Sequence, residues 1–86
     1  MKVSVELVLT PLKDDFEPPI KAFIKQLRDS EFTILENPLS TQIYGEYETL
    51  MLFLNSAIGQ TFEKEESVVV QMRIIKGDRS NYVPSF

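Results

Sequence analysis

The spacing of the apolar residues changes from a period of two to a helical period, and it does so twice along the chain. The segment Lys2–Thr10 alternates, which places its apolar side chains on one face of a strand. After a polar loop, Pro18 and Pro19 suit the first turn of a helix. Its apolar stripe has the spacing i, i+3, i+4 and i+7: Ile20, Phe23, Ile24 and Leu27. The chain is therefore predicted to begin with a half-buried strand and an amphipathic helix that fades near Asp29.

Two short strands are predicted in the middle of the chain. The first covers Phe32–Leu35 and ends at Glu36, since apolar and β-branched residues cluster there. The dipeptide Asn37-Pro38 is a turn signal, because proline removes a backbone donor and biases the residue before it toward extended geometry. A further strand is therefore predicted from about Leu39 to Gly45.

A second helix and a last strand complete the prediction. Apolar residues recur at helical spacing from a start between Glu46 and Thr49 to an end near Gly59, and acidic side chains suit the positive end of the helix dipole. The charge run Glu63–Glu66 is predicted to be a solvated loop. The last strand, Ser67–Lys76, is partly apolar on both faces.

This order, β-α-β-β-α-β, predicts an α+β fold of the ferredoxin-like type. Two right-handed crossovers place both helices on one face of a four-stranded antiparallel sheet with strand order 4-1-3-2. The other face is left open, and its apolar content indicates that a second sheet packs on it. Residues 1–78 form the predicted domain. Residues 79–86 form a tail without periodicity, either disordered or an arm that docks on a neighbour.

Composition excludes several classes of function. The 86 residues include 9 Lys and Arg against 13 Asp and Glu, and this net charge of −4 argues against nucleic acid as a partner. The absence of Cys and His removes thiolate chemistry, the common zinc sites and the usual general base near neutral pH. No apolar run is long enough to span a bilayer. We therefore expect a cytoplasmic protein that uses no metal and no membrane, and a chain of this size would gain from oligomerisation.

The polar strand after Asn37 is the candidate binding surface. Alternation places Ser40, Gln42 and Tyr44 on the open face and Thr41 on the helix side. Glu6 of the first strand lies beside them in the predicted sheet order, and its carboxylate would need a partner if a second sheet buried it.

Each of these residues also has a purely structural interpretation. Glu6 could form a cross-strand ion pair with Arg73. Ser40 and Thr41 could bond to the backbone of the preceding turn. The remaining polar residues of the strand could be solvated or belong to an oligomer interface.

Three runs of the sequence resemble the small thiamine-binding proteins of the YkoF-like group. They are Pro18–Lys21 before the first helix, Asn37–Tyr47 in the polar strand, and Ile74–Arg79 at the end of the last strand. The resemblance implies a ferredoxin-like protein, assembled as a homodimer or homotetramer, that binds thiamine or its hydroxymethylpyrimidine part. It implies no catalysis and no cofactor, and a role as carrier or sensor in thiamine supply. It also places the ligand against the run Ser40-Thr41-Gln42.

Together, the resemblance and the residue pattern predict a set of ligand-binding residues: Glu6, Ser40, Thr41, Gln42 and Tyr44. Two other functions are weighed against binding. An enzyme could use paired carboxylates such as Glu6 and Glu46, but no nucleophile, metal triad or phosphate loop is evident. A structural or regulatory oligomeric module without a small-molecule ligand is the main alternative, because this fold hosts many functions.

Overall fold

The computed structural model describes residues 1–86 and confirms the predicted order of elements. In chain order these are β1 (Lys2–Pro11), α1 (Glu17–Arg28), β2 (Thr33–Glu36), β3 (Thr41–Glu46), α2 (Tyr47–Lys64) and β4 (Val68–Lys76). The four strands form one sheet in the order β2-β3-β1-β4, and every neighbouring pair is antiparallel. This is the predicted 4-1-3-2 arrangement read from the other edge, so the ferredoxin-like α+β fold is confirmed.

The core lies between the sheet and the two helices. Alternation in β1 sends one set of side chains toward the helix layer, where they meet the apolar stripes of both helices. The buried cluster consists of Val3, Val5, Leu7, Phe23, Leu27, Ile43, Leu50, Leu54 and Ala57. Because both helices pack on this face, the opposite face of the sheet is free to carry polar groups.

The first helix begins and ends as its sequence predicts. Pro18 and Pro19 lie in its first turn beside the acidic Glu17, while Lys25 and Arg28 lie in its last turn. This placement of charges complements the helix dipole at both ends. Neither helix of the structure has the length and apolar character that crossing a membrane requires.

The second helix is longer than predicted, and this corrects two expectations. It runs through Gly59 to Lys64, so the first half of the charge run Glu63–Glu66 is helical and not loop. The last turns are held by Thr61, which is only 6% exposed and donates its hydroxyl to the Ala57 carbonyl at 3.1 Å. Glycine lowers helix propensity but does not end a helix whose flanking turns are packed.

The edge strand β4 is only partly covered. Its apolar side chains on both faces remain about two-fifths exposed: Val69, Met72, Ile74 and Ile75. A long apolar edge strand also presents unpaired backbone groups along its outer side. Both faces of this strand are therefore partly apolar, as predicted, and within a single chain these apolar side chains are exposed to solvent.

Candidate functional site

The register of the sheet brings polar residues together at the centre of the open face. Glu6 of β1 lies opposite Gln42 of β3 on one side and Arg73 of β4 on the other. Ser4 lies opposite Tyr44 and Ile75 in the same two strands. Side chains at directly opposed positions of one face are neighbours, so this small area combines a carboxylate, an amide, a phenol and a guanidinium.

Hydrogen bonds connect four of the predicted site residues in a row. The Tyr44 hydroxyl donates to Gln42 Oε1 at 3.2 Å, and Gln42 Nε2 donates to Ser40 Oγ at 3.5 Å. Ser40 Oγ in turn donates to Glu6 Oε2 at 2.9 Å. We call Tyr44, Gln42, Ser40 and Glu6 the polar row. It fixes side chains that would otherwise rotate freely, so a planar ligand would meet donors and acceptors in set positions.

The ion pair between Glu6 and Arg73 exists alongside the polar row. Arg73 Nη1 lies 3.5 Å from Glu6 Oε1, while the other carboxylate oxygen accepts a hydrogen bond from the Ser40 hydroxyl. The Arg73 side chain is 78% exposed and that of Glu6 35% exposed, so the pair is largely solvated. The ion pair that gives Glu6 a purely structural role is thus formed in the free chain, and the carboxylate remains accessible at the sheet surface.

Tyr44 is the most enclosed member of the polar row, with 8% of its surface exposed. Burial raises the pKa of its phenol above the usual value of 10.0, and the charges of Asp78 and Glu6 raise this pKa further. The phenol therefore remains protonated at neutral pH and keeps its proton as a hydrogen-bond donor.

Thr41 is not brought together with the other four candidates. It is buried on the helix side of β3 because alternation turns its side chain away from its neighbours Ser40 and Gln42. Thr41 lines a different cavity of about 160 Å³ under α1, and Ser40 stands at the boundary because it also lines that cavity. A ligand on the open face would not reach the Thr41 side chain.

The open face carries a cleft of about 260 Å³. Its lining combines β1, β3 and β4 with two residues from the C-terminal segment: Ser4, Val5, Glu6, Gln42, Tyr44, Arg73, Ile75, Arg79 and Tyr82. Of the predicted residues, Glu6, Gln42 and Tyr44 line this cleft, whereas Ser40 and Thr41 do not. The sequence analysis did not assign the other lining residues to the site: Ser4, Val5, Arg73, Ile75, Arg79 and Tyr82. Alternation placed Ser4 and Ile75 on the open face, but no signal in the sequence directed the two tail residues there.

The cleft lining combines hydrogen-bonding, charged and aromatic side chains. No group of three or more acidic or other metal-ligating side chains in the chain is close enough together to hold a metal ion. The cleft contains no thiol and no imidazole, since the chain has neither residue. What it offers is one carboxylate, two guanidinium groups, one amide, two phenols and an apolar floor.

Comparison with known proteins supports the fold. No family model matches the chain, and no curated protein matches it significantly. Among solved structures, protein SP2199 from Streptococcus pneumoniae is 29% identical, with a TM-score of 0.83 over 91% of this chain and 89% of that one. A Thermotoga maritima protein, provisionally described as a thiamine biosynthesis/salvage protein (TM0486), is 21% identical, with a TM-score of 0.78 over 86% of this chain and 82% of that one.

A third similar structure is a domain of unknown function, DUF77, from Bacillus cereus. It is 17% identical, with a TM-score of 0.74 over 99% of this chain and 84% of that one. At the identities of the Thermotoga and Bacillus proteins, the likeness establishes the shared ferredoxin-like architecture alone. The chain therefore shares its fold with these solved structures, one of which carries a thiamine-related description.

Proposed function

We propose that this protein binds thiamine or its hydroxymethylpyrimidine part in the cleft of the open face, and that it acts as a carrier or sensor in thiamine supply without catalysing a reaction. The observation that carries the proposal is the polar row, in which Tyr44, Gln42, Ser40 and Glu6 are linked in succession. The binding needs no cofactor. The description of the Thermotoga protein agrees with a ligand of this class.

An aminopyrimidine matches the groups of the polar row. Its exocyclic amine donates hydrogen bonds, and the Glu6 carboxylate accepts them. Its ring nitrogens accept, and the Gln42 amide, which has a second N–H besides the one that bonds Ser40, supplies a donor on the same face of the sheet. Ile75 provides an apolar surface for the ring. Polar groups in fixed positions beside an apolar wall are the usual composition of a small-molecule site.

The cleft of one chain opens on the exposed sheet face, so it does not enclose a ligand by itself. Its volume of about 260 Å³ lies below the ~300–1,000 Å³ typical of ligand sites. A second copy of the chain would close the site if it packed on the open face, and the exposed apolar residues of β4 favour such an association. We therefore propose a homodimer or homotetramer in which each cleft is completed by a neighbouring subunit.

Calorimetric titration tests the proposal directly. The purified protein is titrated with thiamine, hydroxymethylpyrimidine and thiamine diphosphate, and its mass in solution is measured under the same conditions. We expect saturable binding of at least one of these ligands, near one per chain, by an oligomer. The absence of both heat and thermal stabilisation with all three would reject the thiamine-related ligand.

The second candidate is a structural or regulatory oligomer without a small-molecule ligand. Its support is the exposure of Val69, Met72, Ile74 and Ile75 on β4, since a chain of this size rarely leaves so much apolar strand surface unpaired. This function would be favoured by an oligomer that binds none of the three compounds and whose subunits associate with the same affinity whether or not the compounds are present. Turnover of any of them would instead identify an enzyme.

A further inference from the structure

The C-terminal segment Gly77–Tyr82 is tied to the open face by hydrogen bonds near the cleft. Gly77 adopts a φ of 104°, which reverses the chain after β4 in a conformation that favours glycine. Its N–H donates to the Lys2 carbonyl at 2.8 Å. The Ser4 hydroxyl donates to the Gly77 carbonyl at 2.8 Å and accepts the Arg79 N–H at 2.9 Å. We call Gly77–Tyr82 the C-terminal arm.

A turn then brings the end of the arm back over the cleft. The Tyr82 N–H donates to the Arg79 carbonyl at 3.2 Å, and the side chains of both residues line the cleft beside Glu6 and Tyr44. The first part of the tail, Arg79–Tyr82, therefore packs against its own chain. It forms one wall of the candidate site of its own chain.

Arg79 is the charged side chain in the cleft that lacks a partner. Glu6 and Arg73 neutralise each other, whereas no carboxylate lies within 4.0 Å of the Arg79 guanidinium and no hydrogen bond engages it. The adjacent acid, Asp78, accepts bonds from the Ser80 N–H at 2.9 Å and the Ser80 hydroxyl at 2.6 Å. The cleft lining thus carries one guanidinium without an ion pair, that of Arg79, although Asp78 lies close enough for its charge to act on Tyr44.

We infer that the C-terminal arm is part of the binding site and that Arg79 selects a ligand with an anionic group, namely a phosphate monoester of hydroxymethylpyrimidine. This inference rests on the proposed function. The planar fork of an arginine binds two phosphate oxygens at once, which a neutral alcohol cannot offer. An unpaired guanidinium in the same cleft repels the cationic ring of thiamine, so the phosphate ester is the better fit.

Tyr82 supplies an aromatic wall for the same ligand. Its side chain lines the cleft, yet the residue is 69% exposed in the free chain, so one side of the ring remains available for contact. Offset stacking on a heterocycle adds to the energy gained from area burial alone. The ring, and not the hydroxyl, is assigned to this contact. The arm therefore contributes both an anion contact and a stacking surface.

The test compares two ligands and two charge variants by calorimetry at low salt. In the wild type, hydroxymethylpyrimidine phosphate is expected to bind about tenfold more tightly than the alcohol, the effect of one charge-assisted contact. Arg79→Gln should reduce this preference to about twofold, because the affinity for the phosphate ester falls more than the affinity for the alcohol. Lys21→Gln is the matched control, because it removes the same charge from the helix layer, where Lys21 is 76% exposed.

The aromatic contact has its own pair of variants. Tyr82→Phe should bind the phosphate ester as the wild type does, whereas Tyr82→Ala should bind it about fivefold more weakly because the ring is lost. Equal loss in both variants would contradict the stacking role. An unchanged preference for phosphate in Arg79→Gln, or no preference in the wild type, would overturn the inference about Arg79.

A titration with inorganic phosphate separates failure of the anion contact from failure of the proposed function. If neither pyrimidine binds, the protein is titrated with inorganic phosphate while the amide signals of Gly77–Ser80 are followed by NMR. Saturable shifts that disappear in Arg79→Gln would retain the anion contact and reject the pyrimidine. Absence of these shifts would reject both the anion contact and the proposed function.

Discussion

Removal of one hydroxyl group, in Ser4→Ala, should release the C-terminal arm from the sheet. Ser4 is 6% exposed, and its Oγ makes two bonds to the arm, with Gly77 O at 2.8 Å and Arg79 N at 2.9 Å. Each such bond contributes a net ~0.5–1.5 kcal/mol. Since water can reach the arm once it opens, we expect the attachment to weaken by about 1–2 kcal/mol in total.

Native-state hydrogen exchange at the Arg79 amide measures this change. Weakening by 1–2 kcal/mol corresponds to exchange that is about 5–30-fold faster. Amides at the centre of β1 should remain protected, because the core does not depend on the arm. If the arm completes the binding site, the same variant should also bind hydroxymethylpyrimidine phosphate more weakly.

Ser40→Ala is the matched control for Ser4→Ala. It removes a hydroxyl from the same face of the sheet, but one that is bonded to Glu6 and not to the arm. The Arg79 amide should therefore exchange at the wild-type rate in this variant. Exchange in Ser4→Ala within twofold of the wild type, or equal acceleration in both variants, would show that the Ser4 hydroxyl does not hold the arm.

Four further predictions concern the polar row and two glycines. Glu6→Gln should weaken pyrimidine binding by about 1.5–3 kcal/mol with unchanged urea unfolding, and unchanged affinity would remove Glu6 from the site. A Cβ at Gly45 would lie 2.6 Å from the Phe32 ring, so Gly45→Ala should lower the unfolding free energy by about 1–3 kcal/mol. At Gly59 a Cβ meets nothing within 4 Å, so Gly59→Ala should raise that energy by about 0.5–1 kcal/mol, and equal urea midpoints for the two variants would contradict both. The pKa of the Tyr44 phenol in the folded protein is raised above 10.0. This group therefore adds stability that is complete below its unfolded pKa and is lost as the pH rises through its folded pKa. The difference between the 295 nm titrations of the wild type and of Tyr44→Phe should have a midpoint above pH 10, and a midpoint at or below pH 10 would refute this.

The strands, the helices and their order were predictable because periodicity is a local property. Nine alternating residues in Lys2–Thr10 can bury one side only as a strand, and the stripe of α1 can be buried only as a helix. The end of α2 was not predictable in this way. Gly59 is a local signal to stop, but the buried Thr61 and its bond to the Ala57 carbonyl extend the helix to Lys64.

The candidate site was predicted in part for the same reason. Alternation alone placed Ser40, Gln42 and Tyr44 on one face, and the strand order placed Glu6 beside them. Alternation also separated Thr41 from these residues, where the family resemblance had grouped it with them. Residue type and alternation therefore identified the polar face, whereas the contact between Ser40 and Glu6 depends on the register of β1 and β3.

The sequence by itself determined which residues are half-buried, the order of strands and helices, and the face of the sheet that carries polar groups. Only the tertiary structure decided which charges are neutralised and where the chain after β4 goes. The pairing of Glu6 with Arg73 requires residues 67 positions apart to meet across two strands. The arm has no period to follow, so its path is set by the Gly77 turn and the Ser4 hydroxyl, contacts that exist only once the sheet has formed.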